Sequence, residues 1–296
     1  LHAVDDVNLK IEAGKTIGVV GESGCGKSTL GRTVLGLLDA TDGEVLFEGR
    51  DVTHLKGADR KKLRKDMQII FQDPFSSLNP RMCVADLIAD PLKVYHLCRT
   101  KAERERRVAE LMDTVGLARR LAWSYPHELD GGRRQRIGVA RAIALDPKFI
   151  VCDEPVSALD VSIQAQVVNM FEDLQDEMGL TYLFIAHDLS IVNHISDRIG
   201  VMYLGHLVEV AESEELIFHP VHPYTKSLIS AVPIADPKIA RSSKRIILEG
   251  DVPSPVNPPS GCPFRTRCPY ADEKCAEVTP KLLEVAPSHV AACHHL

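Results

Sequence analysis

The 296-residue sequence has no apolar run approaching the roughly 20 residues that a helix needs to cross a bilayer. Its start also lacks the charged, then apolar, then small-residue layout of a secretory signal. A membrane-spanning chain and export by that route are therefore not expected, and the sequence reads as a soluble protein. Basic excess is missing too. The formal net charge is −6, so no overall positive field exists to hold a phosphodiester backbone, and nucleic acid is not an expected partner. There is no internal repeat and no long low-complexity tract. With 45% hydrophobic and 26% charged residues, the chain has apolar material for one large or two modest domains, which excludes disorder and fibrous repeats. The sequence opens at Leu1 without a Met and runs at once into the strand-like VDDVNLKI, from which we expect that a few tens of native residues precede it.

Cysteine is thin over the first 261 residues, where Cys25, Cys83, Cys98 and Cys152 read as ordinary buried or loop thiols of a reducing compartment. The last 35 residues hold as many again: Cys262, Cys268, Cys275 and Cys293.

From residue 17 to 211, short β-branched runs alternate with helical patterns. TIGVVG precedes KSTLGRTVLGLL, KFIVCDE precedes SIQAQVVNMFEDLQDEM, TYLFIAH precedes LSIVNHIS, and RIGVMYL closes the series. This order predicts an α/β fold with a mostly parallel sheet and helices on both faces. Ile163, Val167, Phe171, Leu174 and Met178 recur at helical spacing and predict one buried face. Between Gln72 and Trp123 the strands stop, and TKAERERRVAELMDTVGL predicts a helix with Val108, Leu111, Met112 and Val115 as its apolar stripe. A helical subdomain over about 73–145, inserted in the α/β core, is the resulting expectation. After about residue 215 lie most of the chain's 18 prolines, in HPVHPY, PIADP and VPSPVNPPSGCP. Proline fixes φ and removes a donor, which predicts an irregular appendage without further sheet.

Gly21-Glu-Ser-Gly-Cys-Gly26-Lys27-Ser28 fits G-x-x-x-x-G-K-S/T, after an expected strand and at an expected helix start. That context argues against a chance Gly-rich turn. Backbone N–H groups of Gly21, Ser23, Gly24, Cys25 and Gly26, and of Lys27, Ser28 and Thr29 at the helix N-terminus, suit a nucleotide's phosphates. The Lys27 ammonium suits the β- and γ-phosphates and the Ser28 hydroxyl suits Mg2+. Phe149-Ile-Val-Cys-Asp153-Glu154 supplies an apolar strand ending in two carboxylates. Asp153 is expected to hold Mg2+ through its water shell, and Glu154 to polarise the attacking water. Gln72, after MQIIF, can reach metal and water, and His187, after YLFIA, can donate to the γ-phosphate; ligands gather at the carboxyl ends of such strands.

These residues resemble one family, the ATP-binding-cassette ATPases, and within it the ATPase subunits of oligopeptide and dipeptide importers. The general marks are GESGCGKST, Gln72, the signature Leu129-Asp-Gly-Gly-Arg133, VCDEP, Ser157-Ala-Leu-Asp160 and His187. The subgroup marks are QDPFSSLNPR, YPHEL, LDVSIQAQVVN, VMYLGHLVE, HPYTKSLISAVP and the cysteine tail. The resemblance implies a P-loop cassette over 1–215 with its N-terminal strand region truncated and a small antiparallel β part, followed by a Cys-rich extension over 216–296. It implies a head-to-tail dimer in which ATP on one subunit is capped by the other's signature, here Leu129, Asp130, Gly131, Gly132 and Arg133, with Asp160 in the loop beside it. Gln72, Ser28 and Asp153 would hold Mg2+, and Glu154, His187 and Gln72 would serve hydrolysis. The implied setting is the cytoplasmic face of the cell membrane, with a second ATPase subunit, two transmembrane permease subunits and an extracytoplasmic solute-binding protein. Nickel or another small solute is an alternative cargo. A non-transport cassette ATPase acting on DNA or ribosomes, and a module holding ATP as a structural ligand, are the other classes; the first usually carries long coiled coils or a second cassette.

Two departures from the family pattern stand out. No aromatic residue to stack on adenine is found in Leu1 to Val7. The family's signature serine and glutamine are here Asp130 and Arg133. Aspartate suits a helix N-cap, but a carboxylate near a γ-phosphate meets a like charge, which at 4 Å costs about 4 kcal/mol at an effective dielectric of 20. The expectation is a weakened site on a non-identical partner, while this chain's own phosphate site pairs with an intact partner signature; the alternative is that Asp130 turns away into solvent or is merely tolerated.

The tail cysteines are spaced C-x5-C-x6-C-x17-C, in a segment too short and proline-rich to make its own core. A metal or cluster is the expected staple. Zinc sites favour tighter C-x2-C pairs, while the resembling ATPases carry a tail thought to hold a 4Fe-4S cluster on Cys262, Cys268, Cys275 and Cys293. Zinc, or free thiols, remain alternatives, with His294 and His295 as possible extra ligands.

Overall fold

TIGVV has no polar alternation, and it forms β1 (Thr16–Val20) with every residue buried. Unbroken burial is what a strand covered on both faces shows. The same holds for β5 (Phe149–Asp153) and β6 (Thr181–Ile185). A computed structural model describes residues 1–233 and 245–296. They form two compact units, one of Leu1–Ile11, Lys15–Gly31 and Phe184–Leu296, the other of Glu12–Gly14 and Arg32–Leu183.

In the second unit β4 (Met67–Ile70) pairs in parallel with β5, from Met67 opposite Phe149 to Ile70 opposite Cys152. The Thr181 N–H donates to the Lys148 carbonyl at 3.1 Å and sets the start of β6. Between β4 and β5 the chain is helical, in α3 (Pro74–Ser77), α4 (Val84–Val94), α5 (Lys101–Thr114) and α6 (Gly131–Ile143). The highly charged α5 starts where the Thr100 side chain accepts the Glu103 N–H, and the predicted stripe Val108, Leu111, Met112 and Val115 is buried. Helix α7 (Val161–Met178) ends at Gly179, whose φ of +66° suits a left-handed C-cap. Its buried face is Val167, Val168, Met170, Phe171 and Leu174. Ile163 and Met178, expected on that face, are half-buried near the two ends of the helix. A small hairpin pairs β2 (Leu46–Phe47) with β3 (Arg50–Asp51), and α2 (Gly57–Asp66) follows it.

In the first unit β1 pairs in parallel with β7 (Arg198–Tyr203), and β7 turns back antiparallel into β8 (His206–Glu212). The Ala186 N–H donates to the Val19 carbonyl at 3.2 Å, placing the end of β6 beside β1. Helix α1 (Lys27–Val34) starts in this unit. It stops short of the expected Leu38, because Gly36 turns to φ +62° and the Leu37 N–H folds back onto the Arg32 carbonyl. The run VDDVNLKI is not a strand: Asp6 bends the chain at φ +47°, and the Asp5 N–H donates to the Gly205 carbonyl.

The region beyond residue 215 departs from the expectation of no further sheet. Strand β10 (His289–Ala291) pairs antiparallel with β8, and β9 (Leu283–Ala286) pairs antiparallel with β10. Pro287 lies between the strands, in a turn where Ser288 has φ +61°, so no ladder bond is lost to it. A buried histidine–carboxylate contact fixes this extension: His289 Nε2 lies 2.8 Å from Glu209 Oε1, with both side chains almost fully buried. Glu209 also accepts the Val221 and His222 N–H groups. Helices α9 (Ser213–Phe218) and α10 (Pro223–Ser230) follow β8. Phe264 is 1% exposed and packs edge-on against Tyr203 and tilted against Tyr224. PIADP, beyond Pro233, lies outside the described residues.

His222 caps α10 by accepting the Tyr224 N–H at Nδ1, 3.1 Å away, and so must be unprotonated there. Burial, helped by Lys226, pushes it down to about 4. The unfolded chain takes a proton at His222 near pH 6.5. The folded chain resists down to about 4, so folding stability falls with acid across that window, by roughly 3 kcal/mol in full. Thermal melting of the wild type is expected to fall more steeply from pH 7 to pH 4.5 than that of His222→Asn, which keeps a cap acceptor without titrating; equal slopes would show that another group sets the dependence.

Candidate functional site

In the first unit, β1 delivers Gly21 at the start of the phosphate-binding motif. Gly21 has φ +154°, and a Cβ there would sit 2.2 Å from the Met202 carbonyl oxygen. Gly26 has φ +105°, and a Cβ there would sit 2.0 Å from the Ala3 carbonyl oxygen. Only glycine fits at these two positions. The loop therefore closes tightly on Lys27, which opens α1 and is 4% exposed. Its ammonium donates to the carbonyls of Gly21 at 2.8 Å and Glu22 at 3.0 Å, and lies 3.8 Å from the Cys25 sulfur. Cys25 is 4% exposed, and burial pushes its thiol up despite that neighbouring cation, the environment of a packing cysteine. Ser23 and Gly24 are exposed, and Ser28 and Thr29 half-buried. His187 follows β6 and is exposed, just before Asp188 caps α8 (Leu189–Ile195).

In the second unit, Asp153 ends β5 at 1% exposure and pairs with Arg32, Nη2 to Oδ2 at 3.4 Å. Glu154 follows with φ +49°, a left-handed conformation uncommon for a residue with a side chain and typical of functional strain. Its Oε2 accepts from Gln72 Nε2 at 2.9 Å. The structure thus brings together two of the residues expected at consecutive strand ends. Asp73, next to Gln72, caps α3 by accepting the Phe75 N–H. The Arg141 guanidinium on α6 donates to the Ser77 carbonyl, tying the loop after Gln72 to α6.

Leu129 is buried and Asp130 caps α6, accepting the Arg133 N–H at 2.8 Å on Oδ1. Its Oδ2 pairs with the Arg133 guanidinium at 2.8 Å. The two unusual signature residues thus engage each other, and both side chains remain about half exposed. Gly131 and Gly132 open the first turn of α6, and Asp160 stands exposed at the N-cap position of α7, without a side-chain capping bond.

The tail cysteines gather. Cys262 and Cys275 are buried, Cys268 and Cys293 half-buried. The Cys262 N–H donates to the Cys275 carbonyl, and the Cys275 sulfur lies 3.6 Å from His295 Nε2. Burial, and then the neighbouring Cys275, Cys268 and Cys293, push the Cys262 thiol up to about 11. Thiols are a soft donor set of the kind that thiophilic metals take. Asp272, Cys275 and His295 form the compact candidate ligand group among the described residues. His294 turns instead to the Val278 carbonyl.

Sequence reasoning missed Arg32 as the partner of Asp153, and Tyr224 and Arg267 as partners of Glu22. HPY and the arginine before Cys268 were visible as motif and composition, but nothing local in them points to a loop 200 residues earlier.

The ABC transporter family matches residues 4–157, and the C-terminal region of the oligopeptide/dipeptide transporters matches residues 208–275. The chain is an ATP-binding-cassette ATPase of the oligopeptide and dipeptide transporter type. The oligopeptide transport ATP-binding protein OppF of Salmonella typhimurium is 55% identical over 99% of this chain and 87% of its own length. The putative oligopeptide transport ATP-binding protein YkfD of Bacillus subtilis is 54% identical over 99% and 89%. Among solved structures, the dimeric cassette MJ0796 in a post-hydrolysis state with ADP and phosphate superposes with a TM-score of 0.66 at 29% identity, covering 71% of this chain and 90% of that one. CbiO1 from Clostridium perfringens, part of the transporter complex cbiONQ, gives 0.67 at 26%, covering 73% and 84%. No helix among the described residues of this ATPase is long and apolar enough to cross a membrane.

Proposed function

We propose that this ATPase hydrolyses ATP to energise import of di- or oligopeptides, bound at the cytoplasmic face of a membrane complex. Its partners there would be a second, non-identical ATPase subunit, two permease subunits and an extracytoplasmic binding protein. Long identity to oligopeptide transport ATP-binding proteins supports the cargo class. The hydrolytic reading rests above all on Glu154, strained at the end of a buried strand with its carboxylate on Gln72. Lys27 and the loop amides from Gly21 to Thr29 bind the triphosphate, Glu154 takes the proton of the attacking water, and His187 donates to the γ-phosphate. Ser28, Gln72 and Asp153 would hold Mg2+, which would shield phosphate charge. In the assembled complex, Glu154→Gln is expected to slow turnover by roughly 10²- to 10⁴-fold while ATP still binds. Unslowed turnover would leave ATP as a structural ligand only.

We propose further that the signature Leu129 to Arg133, with Asp160 beside it, faces a partner's nucleotide as a weakened cap. The Arg133 guanidinium offsets part of the Asp130 charge, but a carboxylate cannot donate to a γ-phosphate as a serine hydroxyl does. Asp130→Ser is expected to raise the ATPase rate of the complex, and an unchanged rate would remove this assignment.

For the tail, the reading is a 4Fe-4S cluster on Cys262, Cys268, Cys275 and Cys293, a cofactor that would staple the extension. Four sulfurs on one tetrahedral zinc, with Zn–S about 2.3 Å, would lie only about 3.8 Å apart. The compact ligand group among the described residues, Asp272, Cys275 and His295, offers one of these cysteines, and the cluster reading rests on the cysteine spacing and the family resemblance. Anaerobically purified protein is expected to be brown with absorption near 400 nm, a region typical of iron–sulfur charge transfer. Stoichiometric zinc without iron would exclude the cluster.

A further inference from the structure

Glu22 is the second residue of the phosphate loop, and every polar group it has is engaged. Its carbonyl accepts the Lys27 ammonium at 3.0 Å and the Cys25 N–H at 3.3 Å, which fold the loop upon itself. Its own N–H donates to the Tyr224 hydroxyl at 2.9 Å. Its carboxylate pairs with Arg267, Nη1 to Oε2 at 2.8 Å. The Arg267 side chain is 9% exposed and that of Glu22 28%, so water screens this pair less than an open surface pair.

Both outside partners come from the extension beyond residue 215, and both are held firmly. Burial pushes the Tyr224 phenol well up, keeping it a neutral hydroxyl able to accept an N–H. Its ring is fully buried and meets Tyr203 edge-on with centroids 4.8 Å apart, while Phe264 tilts against it at 5.4 Å. Arg267 lies on the turn after Phe264, where its N–H donates to the Phe264 carbonyl at 3.0 Å. One aromatic cluster therefore carries both contacts to Glu22.

We infer that Tyr224 and Arg267 are positioning residues for nucleotide binding: they clamp Glu22 and hold the phosphate loop in the shape that receives the triphosphate. The inference rests on the ATPase reading above. A clamp on the phosphate loop acts on nucleotide affinity more than on the chemical step, because both residues hold Glu22, a residue of the loop that receives the phosphates.

The test uses the full chain in its assembled complex, with Tyr224→Phe, Arg267→Met, Arg267→Lys and Glu22→Gln. Equilibrium ATP binding and the KM and kcat for ATP are measured for each. For Tyr224→Phe and Arg267→Met, Kd and KM are expected to rise roughly three- to tenfold with kcat within about twofold, the size of losing one hydrogen bond, charge-assisted for Arg267. Arg267→Lys should recover part of the loss. Arg267→Met should add little on a Glu22→Gln background, since both remove one ion pair. Binding unchanged in both single variants, or additive losses of Arg267→Met and Glu22→Gln, would overturn the clamp. So would a fall in kcat with Kd unaltered. Far-UV circular dichroism and melting temperature are recorded alongside, and the phenol-to-phenyl change keeps the buried ring, so lost binding in a folded Tyr224→Phe protein cannot be blamed on unfolding. Wild-type complex that binds no ATP would defeat the ATPase reading itself, whereas wild-type turnover with insensitive variants defeats only the clamp.

Discussion

A lysine ammonium held by two carbonyls of its own loop is the constraint around which the rest of this molecule is arranged. To bring those carbonyls within reach, the backbone must pass so close to Met202 and Ala3 that no side chain fits at Gly21 or Gly26. The preorganised loop then needs little rearrangement to exchange its own carbonyls for a ligand's phosphate oxygens. Preorganisation of this kind lets a glycine-rich turn, floppy in isolation, act as a rigid receptor.

Charge in the signature follows a second logic. A cap carboxylate at Asp130 would be an awkward neighbour for any phosphate, yet it satisfies one of the orphan donors of α6, the Arg133 N–H, and draws the Arg133 side chain alongside. The helix is stable with either residue type at its start, so stability of the fold does not select against the change. What the change alters is the character of the surface presented there, from a neutral hydroxyl and amide to a dipolar ion pair.

Much of this was legible in the amino-acid order. The buried strands carry unbroken apolar runs because both faces are covered, and the phosphate loop is legible because glycine is compulsory where backbone packs on backbone. Asp153 and Glu154 were readable as the end of such a run. The misses share a cause as well. β9 and β10 are short, and prolines around them hide a ladder whose partner, β8, lies some 80 residues earlier. VDDVNLKI has strand-like composition, but a left-handed Asp6 interrupts it. Tyr224 and Arg267 are joined to Glu22 across sequence separations of 202 and 245, beyond any local pattern.

The pairing of β10 with β8 has a consequence for the solubility of the polypeptide. β8 is a seven-residue strand with an almost wholly buried middle, and alone it would offer a row of open donors and acceptors to any neighbouring chain, a template for self-association. β10 covers the middle of that row, from Val208 to Val210, and β9 beyond it is brief, half exposed and carries Glu284, features that discourage further strand addition. The cysteine-rich end of the protein therefore also shields a sticky margin, and a product truncated ahead of β9 would be prone to aggregate for reasons unrelated to any metal.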